Sequence, residues 1–416
     1  MISFLISTLK IIILLGFLVF IHEFGHFSVA KLCKVKVNEF AIGFGPAILK
    51  IKGKETRYVL RLLPLGGFVS MEGEDSKSED ERAFNKVKIR KRIAIVAAGG
   101  LVNICFALIA YLGLQAIYPN NITTEVDYAL PGYAAENVNI QQNDIIEKIN
   151  GKKVYTQSDI SKLVSESEGK ELVLTINRNG NKMEQKIIPT EYLYNCTGFC
   201  LESEYDTTIK AFDKTSVENQ GFKVGDKIIE IDGQKIENDS KKLSELLQDT
   251  EKDTFELLIL RKGKNINISV TPIKKMKYML GINFKKADKN LKNNLYYAAI
   301  ETKDFSFSII DNIKEIVSGK VSKDDFMGPV GISSAVSKTN GIKEFIYMLA
   351  LISLSLGVTN LLPFPPLDGG KIVFLIIEAI RKKPLKEEIE AGIQMVGFSI
   401  LIILAIFVTY NDILRL

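Results

Sequence analysis

A chain of 416 residues, of which 46% are hydrophobic and 25% are charged, must keep its apolar and polar segments apart, and its length suggests roughly two to four structural units. The net charge of +5 is small and no dense basic block occurs, so nucleic acid is excluded as the expected partner. Four cysteines are too few for a disulfide framework in a chain this long. Cys196 and Cys200 are close enough in sequence to form a local disulfide, and free thiols are the alternative.

Four apolar segments are predicted to cross a lipid bilayer. The first, at 1–31, has an uninterrupted apolar core from Ile11 to Ile21, and the others lie at 93–118, 342–368 and 393–410. Each offers close to the ~20 residues that a helix needs to cross ~30 Å of hydrocarbon. A secretory signal is the alternative for the first segment. We reject it because cleavage would remove both histidines of the chain.

The first apolar helix contains the sequence HEFGH, which includes the only two histidines of the protein, His22 and His26. Residues four apart lie on one face of a helix, so the two imidazoles can bind the same metal ion. Glu23 projects beside them and can act as a general base, as in the His-Glu-x-x-His pattern of zinc metalloproteases. The alternative is a pair of core histidines. Polar groups without partners cost several kcal/mol in a bilayer, which disfavours that alternative.

Residues 32–92 are predicted to form a cytoplasmic or membrane-associated β-hairpin loop. Their segments NEFAIGFGPAILKI and TRYVLRLLPLGGFVSM alternate apolar and polar residues and contain glycine and proline turns. Non-helical backbone is tolerated at membrane depth only where protein or a cavity shields it. An ordinary cytoplasmic hairpin and a loop that enters the membrane are both compatible with this pattern.

Basic residues predict the orientation of the helices. They cluster after the first helix, before the second, and between the third and fourth: Lys31, Lys34, Lys36, Lys86, Lys88, Arg90, Lys91, Arg92, Arg381, Lys382, Lys383 and Lys386. Such clusters are typical of the cytoplasmic side. Both termini and the long segment 119–341 are then outside the cytoplasm.

The outer segment contains an internal repeat. NDIIEKINGKKV in the first copy returns as GDKIIEIDGQKI in the second, and each copy continues with a helical stretch and two strands. We predict two α+β modules at 122–192 and 196–284, followed by an amphipathic linker at 285–341. Each module resembles a PDZ domain, which binds an extended peptide by strand addition. A spacer with a covered sheet edge is the alternative.

The third ligand of a zinc site is predicted near the end of the third apolar segment. Catalytic zinc usually has three protein ligands, and with no third histidine the remaining one must be Asp, Glu or Cys. In NLLPFPPLDGGK the prolines break the helix and Asp368 follows in a glycine-rich turn. The predicted orientation places this turn and the end of the first helix on the same side of the membrane. Asp368 is therefore the predicted third ligand, and a helix-capping aspartate is the alternative.

HEFGH near the start, NLLPFPPLDGG near the end and PDZ-like modules between them resemble the site-2 protease family of intramembrane zinc metalloproteases. The closest resemblance is to its bacterial regulator-of-sigma-E-protease branch, and it covers essentially the whole chain. It implies that His22, His26 and Asp368 hold Zn²⁺, that Glu23 is the base, and that Asn360 contributes to substrate binding. One departure is VAAGGLVN, where Gly100 replaces an expected proline. We expect Gly100 to loosen the second helix.

The predicted fold is an α-helical membrane protein of four transmembrane helices with two inserted α+β PDZ-like domains. The predicted function is intramembrane cleavage of single-span membrane proteins, with the zinc site toward the cytoplasm and the modules outside. The resemblance implies a bacterial cytoplasmic membrane, substrates such as anti-sigma factors or signal-peptide remnants, and a separate site-1 protease that acts first. The alternatives are a membrane-anchored zinc protease that acts outside the bilayer and a non-enzymatic PDZ scaffold.

Overall fold

The computed structural model describes residues 2–74, 78–203, 206–212, 220–249, 251–318, 328–337, 339 and 341–414. The chain divides into two compact units, Met1–Asn120 with Asp288–Leu416, and Asn121–Ala287. The first unit contains the apolar helices, and the second contains the repeated α+β modules. Part of the predicted linker, 319–327, lies outside the described residues.

The helices of the described chain are α1 (Ile2–Leu32), α2 (Ile89–Ile117), α3 (Ala134–Asn137), α4 (Gln157–Glu166), α5 (Ser240–Leu247), α6 (Leu291–Val317), α7 (Pro329–Ser337), α8 (Ile342–Asn360), α9 (Asp368–Arg381) and α10 (Glu387–Leu414). Over the described residues, α1, α2, α8 and α10 are long and apolar enough to cross a membrane. This confirms the four predicted apolar spans. The third ends earlier than the predicted 342–368, because prolines follow Asn360 and Asp368 begins a separate helix.

The strands are β1 (Val37–Lys52), β2 (Arg57–Met71), β3 (Ile122–Ala129), β4 (Ile145–Ile149), β5 (Lys152–Lys153), β6 (Leu172–Arg178), β7 (Asn181–Ile187), β8 (Thr190–Cys196), β9 (Phe199–Ser203), β10 (Asp206–Phe212), β11 (Lys227–Ile231), β12 (Gln234–Lys235), β13 (Phe255–Arg261), β14 (Lys264–Val270), β15 (Ile273–Met279) and β16 (Ile282–Lys286). The strand pairs of the second unit are antiparallel. The four cysteines are free thiols.

The helix α2 is the centre of the first unit and packs against α1, α6, α8 and α9. At its closest approach to α8, a Cβ atom on Gly100 would lie 2.9 Å from the carbonyl oxygen of Gly357. A Cβ atom on Gly357 would in turn lie 2.7 Å from the carbonyl oxygen of Gly100. That Gly100 loosens α2 stays a prediction. The helix is continuous through this residue, and the missing side chain allows tight helix packing.

The strands β1 and β2 form one irregular hairpin that packs against α1, and residues 39–42 of β1 pair with both 57–60 and 67–70 of β2. Within this hairpin, Glu39 is buried, with a side chain 9% exposed, and accepts hydrogen bonds from Arg57 and Arg61 at 2.7 and 2.8 Å. The hairpin exposes large apolar side chains: Phe44, Ile48, Leu49, Ile51, Leu60, Leu62 and Leu63. An antiparallel hairpin in water normally has a polar outer face, so this surface is unusually apolar.

The second unit contains two modules with the same spatial order of strands in the sheet, and β16 of the first corresponds to β9 of the second. The first module has the sheet order β16-β3-β4-β6-β7 with α4, and the second has β14-β13-β11-β10-β9 with α5. Each has its own apolar core. After the second module is complete, the chain returns and β16 pairs with β3. The predicted range 122–192 for the first module does not include this strand.

The two modules also share a buried ion pair. In the first, Arg178 donates two hydrogen bonds of 2.7 Å to Asp144, whose side chain is fully buried. In the second, Arg261 binds Asp226 in the same way at 2.6 Å. Paired hydrogen bonds between a guanidinium and a carboxylate fix both distance and angle. This shared pair supports the predicted repeat.

The C-terminal helix α10 is attached to α7 through a buried carboxylate. Asp412 is 4% exposed and accepts hydrogen bonds from the backbone N–H groups of Gly328 and Gly331, at 3.1 and 2.7 Å. These N–H groups belong to the first turn of α7 and have no acceptor within that helix. A carboxylate is favourable there because the helix dipole is positive at its N-terminus.

Candidate metal centre and active site

The two histidines lie on one face of α1, as their spacing predicts. Their Nε2 atoms are 3.2 Å apart. The Nδ1 atom of His26 lies 2.9 Å from the backbone carbonyl oxygen of Ile95 in α2, which accepts a hydrogen bond from it when that nitrogen is protonated. A protonated Nδ1 leaves Nε2 of the same ring free to bind a metal ion.

Asp368 completes a group of three ligands. It is the first residue of α9, and its Oδ2 atom lies 3.3 Å from the Nε2 atoms of both His22 and His26. This oxygen is buried and has no hydrogen-bond partner among the described residues. The three ligand atoms all lie within 4.8 Å of one another. The structure thus brings together the residues that the sequence predicts as ligands.

The donor set fits Zn²⁺. Ligand atoms about 2.0 Å from a tetrahedral zinc ion are separated by about 3.3 Å. The three observed separations of 3.2, 3.3 and 3.3 Å agree with that value. Two imidazoles and one carboxylate are also a typical catalytic set for this ion. The buried oxygen without a hydrogen-bond partner is the group that a bound cation would neutralise.

Glu23 lies beside the ligands in a cavity of about 170 Å³. A Cβ atom on Gly67 of β2 would lie 2.9 Å from the Cγ atom of Glu23, so the hairpin backbone packs directly on the glutamate. Lys371 of α9 donates a hydrogen bond of 2.6 Å to Glu74, which follows β2. Both lysine and glutamate line the same cavity as Glu23. The hairpin and α9 therefore meet at the candidate site.

Close helix packing places the ligands, and the sequence analysis did not assign this role to any residue. A Cβ atom on Gly99 of α2 would overlap His26 Nε2 and would lie 2.7 Å from His22 Cε1. Between the two histidines of α1, a Cβ atom on Gly25 would lie 2.6 Å from the carbonyl oxygen of Ala98. The signal in the sequence was AAGG within an apolar helix, since small residues mark close helix contacts in membranes.

Two asparagine side chains approach the Nδ1 atom of His22. Asn360, the predicted substrate-binding residue, places Nδ2 at 3.5 Å, and Asn103 of α2 places Nδ2 at 3.4 Å. The sequence analysis quoted the segment that contains Asn103 but gave the residue no role. A polar residue inside an apolar helix is the signal that identifies it.

The helix α9 is held against α2 by a half-buried ion pair. Arg92 donates a hydrogen bond of 2.7 Å to Glu378, and the arginine also stacks over the ring of Phe84 at 5.1 Å. Because Asp368 is the first residue of α9, an anchor further along this helix also restricts the position of the carboxylate. Three separate segments of the chain therefore determine the geometry of the site: α1, α2 and α9.

Comparison with known proteins gives one family and full-length relatives. The model of peptidase family M50 matches residues 10–404. The regulator of sigma-W protease RasP of Bacillus subtilis is 30% identical, with 99% of each chain covered. The regulator of sigma E protease of Haemophilus influenzae is 27% identical over 100% of each chain. The zinc metalloprotease RasP of Geobacillus kaustophilus is 27% identical over 99% of each chain.

Proposed function

The chain belongs to peptidase family M50, and we propose that it cleaves peptide bonds inside the membrane-spanning segments of single-span membrane proteins. It is a zinc metalloprotease of the site-2 protease type, which is consistent with regulated intramembrane proteolysis. One observation carries the proposed site. The Oδ2 atom of Asp368 converges on both histidine Nε2 atoms, beside Glu23, against an apolar helix.

We propose that His22, His26 and Asp368 hold the zinc ion. When bound, Zn²⁺ supplies a Lewis acid that polarises the scissile carbonyl group and lowers the pKa of water to near 7. The chain contributes the fixed positions of the three ligand atoms. The backbone carbonyl of Ile95 orients the His26 ring, and the Arg92–Glu378 pair holds the helix of Asp368. Such supporting contacts matter because ligand orientation determines metal affinity.

Glu23 is the proposed general base. Its carboxylate takes a proton from the attacking water and then donates it to the nitrogen of the leaving amine, so one residue acts in both steps. Its place in the cavity of His22 and His26 supports this role. Asn360 is proposed to bind the substrate, because its side chain is half-buried beside the ligands and its amide can donate to a peptide carbonyl.

The hairpin of β1 and β2 is proposed to enter the membrane and to pair with the substrate. A transmembrane helix must unwind before one of its amides can reach the zinc site, and an exposed strand edge can then accept the extended backbone. The exposed apolar side chains of the hairpin support a membrane environment rather than an ordinary cytoplasmic hairpin. Contact between Gly67 and Glu23 supports delivery of the substrate to the base.

The basic residues that flank α1, α2 and α9 support an orientation with the zinc site toward the cytoplasm. We propose that the protein resides in a bacterial cytoplasmic membrane with the two modules outside. The names of two relatives refer to regulation of sigma factors. Membrane-anchored anti-sigma factors are therefore the first substrates to test, with signal-peptide remnants as the second class. A separate site-1 protease is proposed to trim them beforehand.

The two modules are proposed to be PDZ-like domains that contact the outer part of the substrate. In the first, a cavity of about 320 Å³ lies between α4 and the edge strand β16. In the second, a cavity of about 440 Å³ lies between α5 and the edge strand β9. An edge strand beside a helix can accept a peptide by strand addition. Exclusion of bulky ectodomains is the alternative role.

Two matched substitutions distinguish these roles of the modules. Ser161 of α4 and Ser244 of α5 are exposed and line the two cavities, so Ser161→Trp and Ser244→Trp fill the grooves without removing core contacts. If the modules bind peptides, either variant lowers the cleavage rate of a substrate with a short ectodomain. If they only exclude bulk, that rate is unchanged and substrates with large ectodomains remain uncut.

Zinc content tests the proposed ligand set directly. The full-length protein purified in detergent should hold one zinc ion per chain. Asp368→Asn removes the anionic ligand and should lose most of that zinc, whereas Glu23→Gln should retain the zinc while losing cleavage. Full zinc content in Asp368→Asn, or its loss in Glu23→Gln, would contradict the assigned roles.

A further inference from the structure

A fully buried amide lies at the centre of the first unit. Asn103 of α2 is 0% exposed, and its Oδ1 atom has no hydrogen-bond partner among the described residues. Leaving a buried amide oxygen without a donor costs about 1–3 kcal/mol. A residue that bears this cost inside an apolar helix is expected to have a function.

The backbone at Asn103 is bound to the neighbouring helix α8. Its backbone carbonyl oxygen accepts a hydrogen bond of 3.0 Å from the hydroxyl of Ser353, a buried residue of α8. This contact fixes the backbone from which the amide side chain projects. The Nδ2 atom of this amide lies 3.4 Å from the Nδ1 atom of His22.

The chemistry of a metal-bound imidazole determines what His22 needs at that nitrogen. Its Nε2 atom faces Asp368 and His26, so Nε2 is the ligand atom and must be unprotonated. A neutral imidazole then carries its proton on Nδ1, and that N–H requires an acceptor. His26 has such an acceptor in the carbonyl of Ile95.

For His22 the described side chains near Nδ1 are two amides, those of Asn103 and Asn360. The oxygen and nitrogen of an amide exchange places on a rotation of 180°, and the hydrogen-bond network decides between the two orientations. With a proton on Nδ1, one of the two residues must present its oxygen. Asn103 is enclosed and has an oxygen that lacks a donor, whereas Asn360 is half-buried beside the cavity.

We propose that Asn103 is the positioning residue of His22, with its Oδ1 atom accepting the Nδ1–H bond so that Nε2 is held toward the metal. This leaves the amide of Asn360 free to donate to the substrate. The proposal rests on the zinc site assigned above. Asn103 and Asn360 have identical side chains close to the same nitrogen, but in this proposal Asn103 orients the metal ligand and Asn360 binds the substrate.

The test uses the fact that the chain has only two histidines. Full-length protein labelled with ¹⁵N-histidine gives four ring-nitrogen signals, which are followed as Zn²⁺ is added. The native protein should show two metal-bound Nε2 and two protonated Nδ1 atoms. Asn103→Leu should shift the Nδ1–H signal of His22 but not that of His26, and should weaken zinc binding about 10–100-fold.

Two further variants serve as controls. Asn103→Asp keeps an acceptor at the same place and should retain zinc affinity within about threefold of native. If Asn103→Leu does not fold, Asn103→Asp tests the proposal by itself. Its carboxylate acceptor should shift the Nδ1 signal of His22 and leave that of His26 unchanged. Asn360→Leu should bind zinc with native affinity and leave both Nδ1 signals in place.

Each contrary result has a distinct meaning. If Asn360→Leu shifts the His22 signal and Asn103→Leu does not, the positioning role belongs to Asn360 and the proposal is overturned. Coordination of His22 through Nδ1 would overturn it as well. If Zn²⁺ changes none of the four signals of the native protein, the proposed metal centre itself fails, and the inference fails with it.

Discussion

Gly99 of α2 lies directly against His26 of α1, so closely that a Cβ atom at residue 99 would overlap the Nε2 atom of the imidazole. The ligand atom of one helix therefore requires the absence of a side chain on its neighbour. Substitution Gly99→Ala should displace the His26 ring or separate the two helices. We expect loss of most of the bound zinc and at least a tenfold loss of cleavage, measured as metal content and initial rate.

A matched control lies on the same helix. A Cβ atom on Gly113 would have no neighbour within 4 Å, so Gly113→Ala changes helix propensity in the same way without a clash. It should retain zinc and activity. Equal behaviour of the two alanine variants would show that the contact with His26 does not control the site.

The ion pair between Lys371 and Glu74 predicts a second effect on activity. The pair joins α9 to the end of β2 at 2.6 Å, and Glu74 is only 14% exposed. Lys371→Met should release the hairpin from the site and lower the cleavage rate about tenfold, while the zinc ligands remain in place. Adding Glu74→Gln should cause little further loss, because two members of one pair do not act additively.

Lys383→Met is the control for the loss of charge, since this exposed lysine lies just beyond the same helix. It should cleave at the native rate. Additive losses in the double variant of Lys371 and Glu74 would contradict a shared role.

The buried ion pairs of the two modules predict a dependence of stability on pH. Burial alone would raise the pKa of Asp144. Hydrogen bonds from Arg178 and the backbone N–H of Gln141 outweigh burial, so that pKa lies below its usual value. Hydrogen bonds from Arg261 and the backbone N–H of Lys223 have the same effect against burial at Asp226. A carboxyl group with a lowered folded-state pKa stabilises the fold above its unfolded pKa of about 3.9.

This stabilisation is lost as the pH falls through the folded-state pKa, since the unfolded state then binds more protons. Hydrogen exchange of the full chain in detergent should show constant protection of the modules from pH 7 to about 5 and a decline below about 4. Arg178→Met leaves Asp144 buried without its partner and should destabilise the first module by about 3–5 kcal/mol at pH 7. Native-like protection at pH 3, or in this variant, would contradict the account.

The sequence was sufficient to predict the features that depend on local pattern. Apolar length predicts the four spans, helical spacing places His22 and His26 on one face, and the repeated Asn-Gly and Asp-Gly turns predict two similar modules. The proximity of Asp368 to the two histidines was predicted from the clusters of basic residues, which place segments distant in sequence on one side of the membrane. The structure brings the three residues together, and their roles remain predictions.

The features that could not be predicted depend on contacts between segments far apart in sequence. The pairing of β16 with β3 spans the entire second module, and no local pattern specifies it. Gly99 and Gly100 have the same local signature, yet one packs on the histidines and the other on α8. The role of Asn103 depends on the direction of its side chain relative to α1, which a sequence does not specify.

The central claim is that Glu23 acts in peptide-bond cleavage inside the membrane. Mass-spectrometric mapping of the cleavage site in a single-span substrate with a short ectodomain tests it most directly. The native protein should cut within the apolar segment, and Glu23→Gln should cut about 10²–10⁴-fold more slowly. Exposed Glu79 provides the control, and Glu79→Gln should cut at the native rate and position. Equal cutting by native protein and Glu23→Gln, or a Glu23-dependent cut outside the apolar segment, would contradict the account.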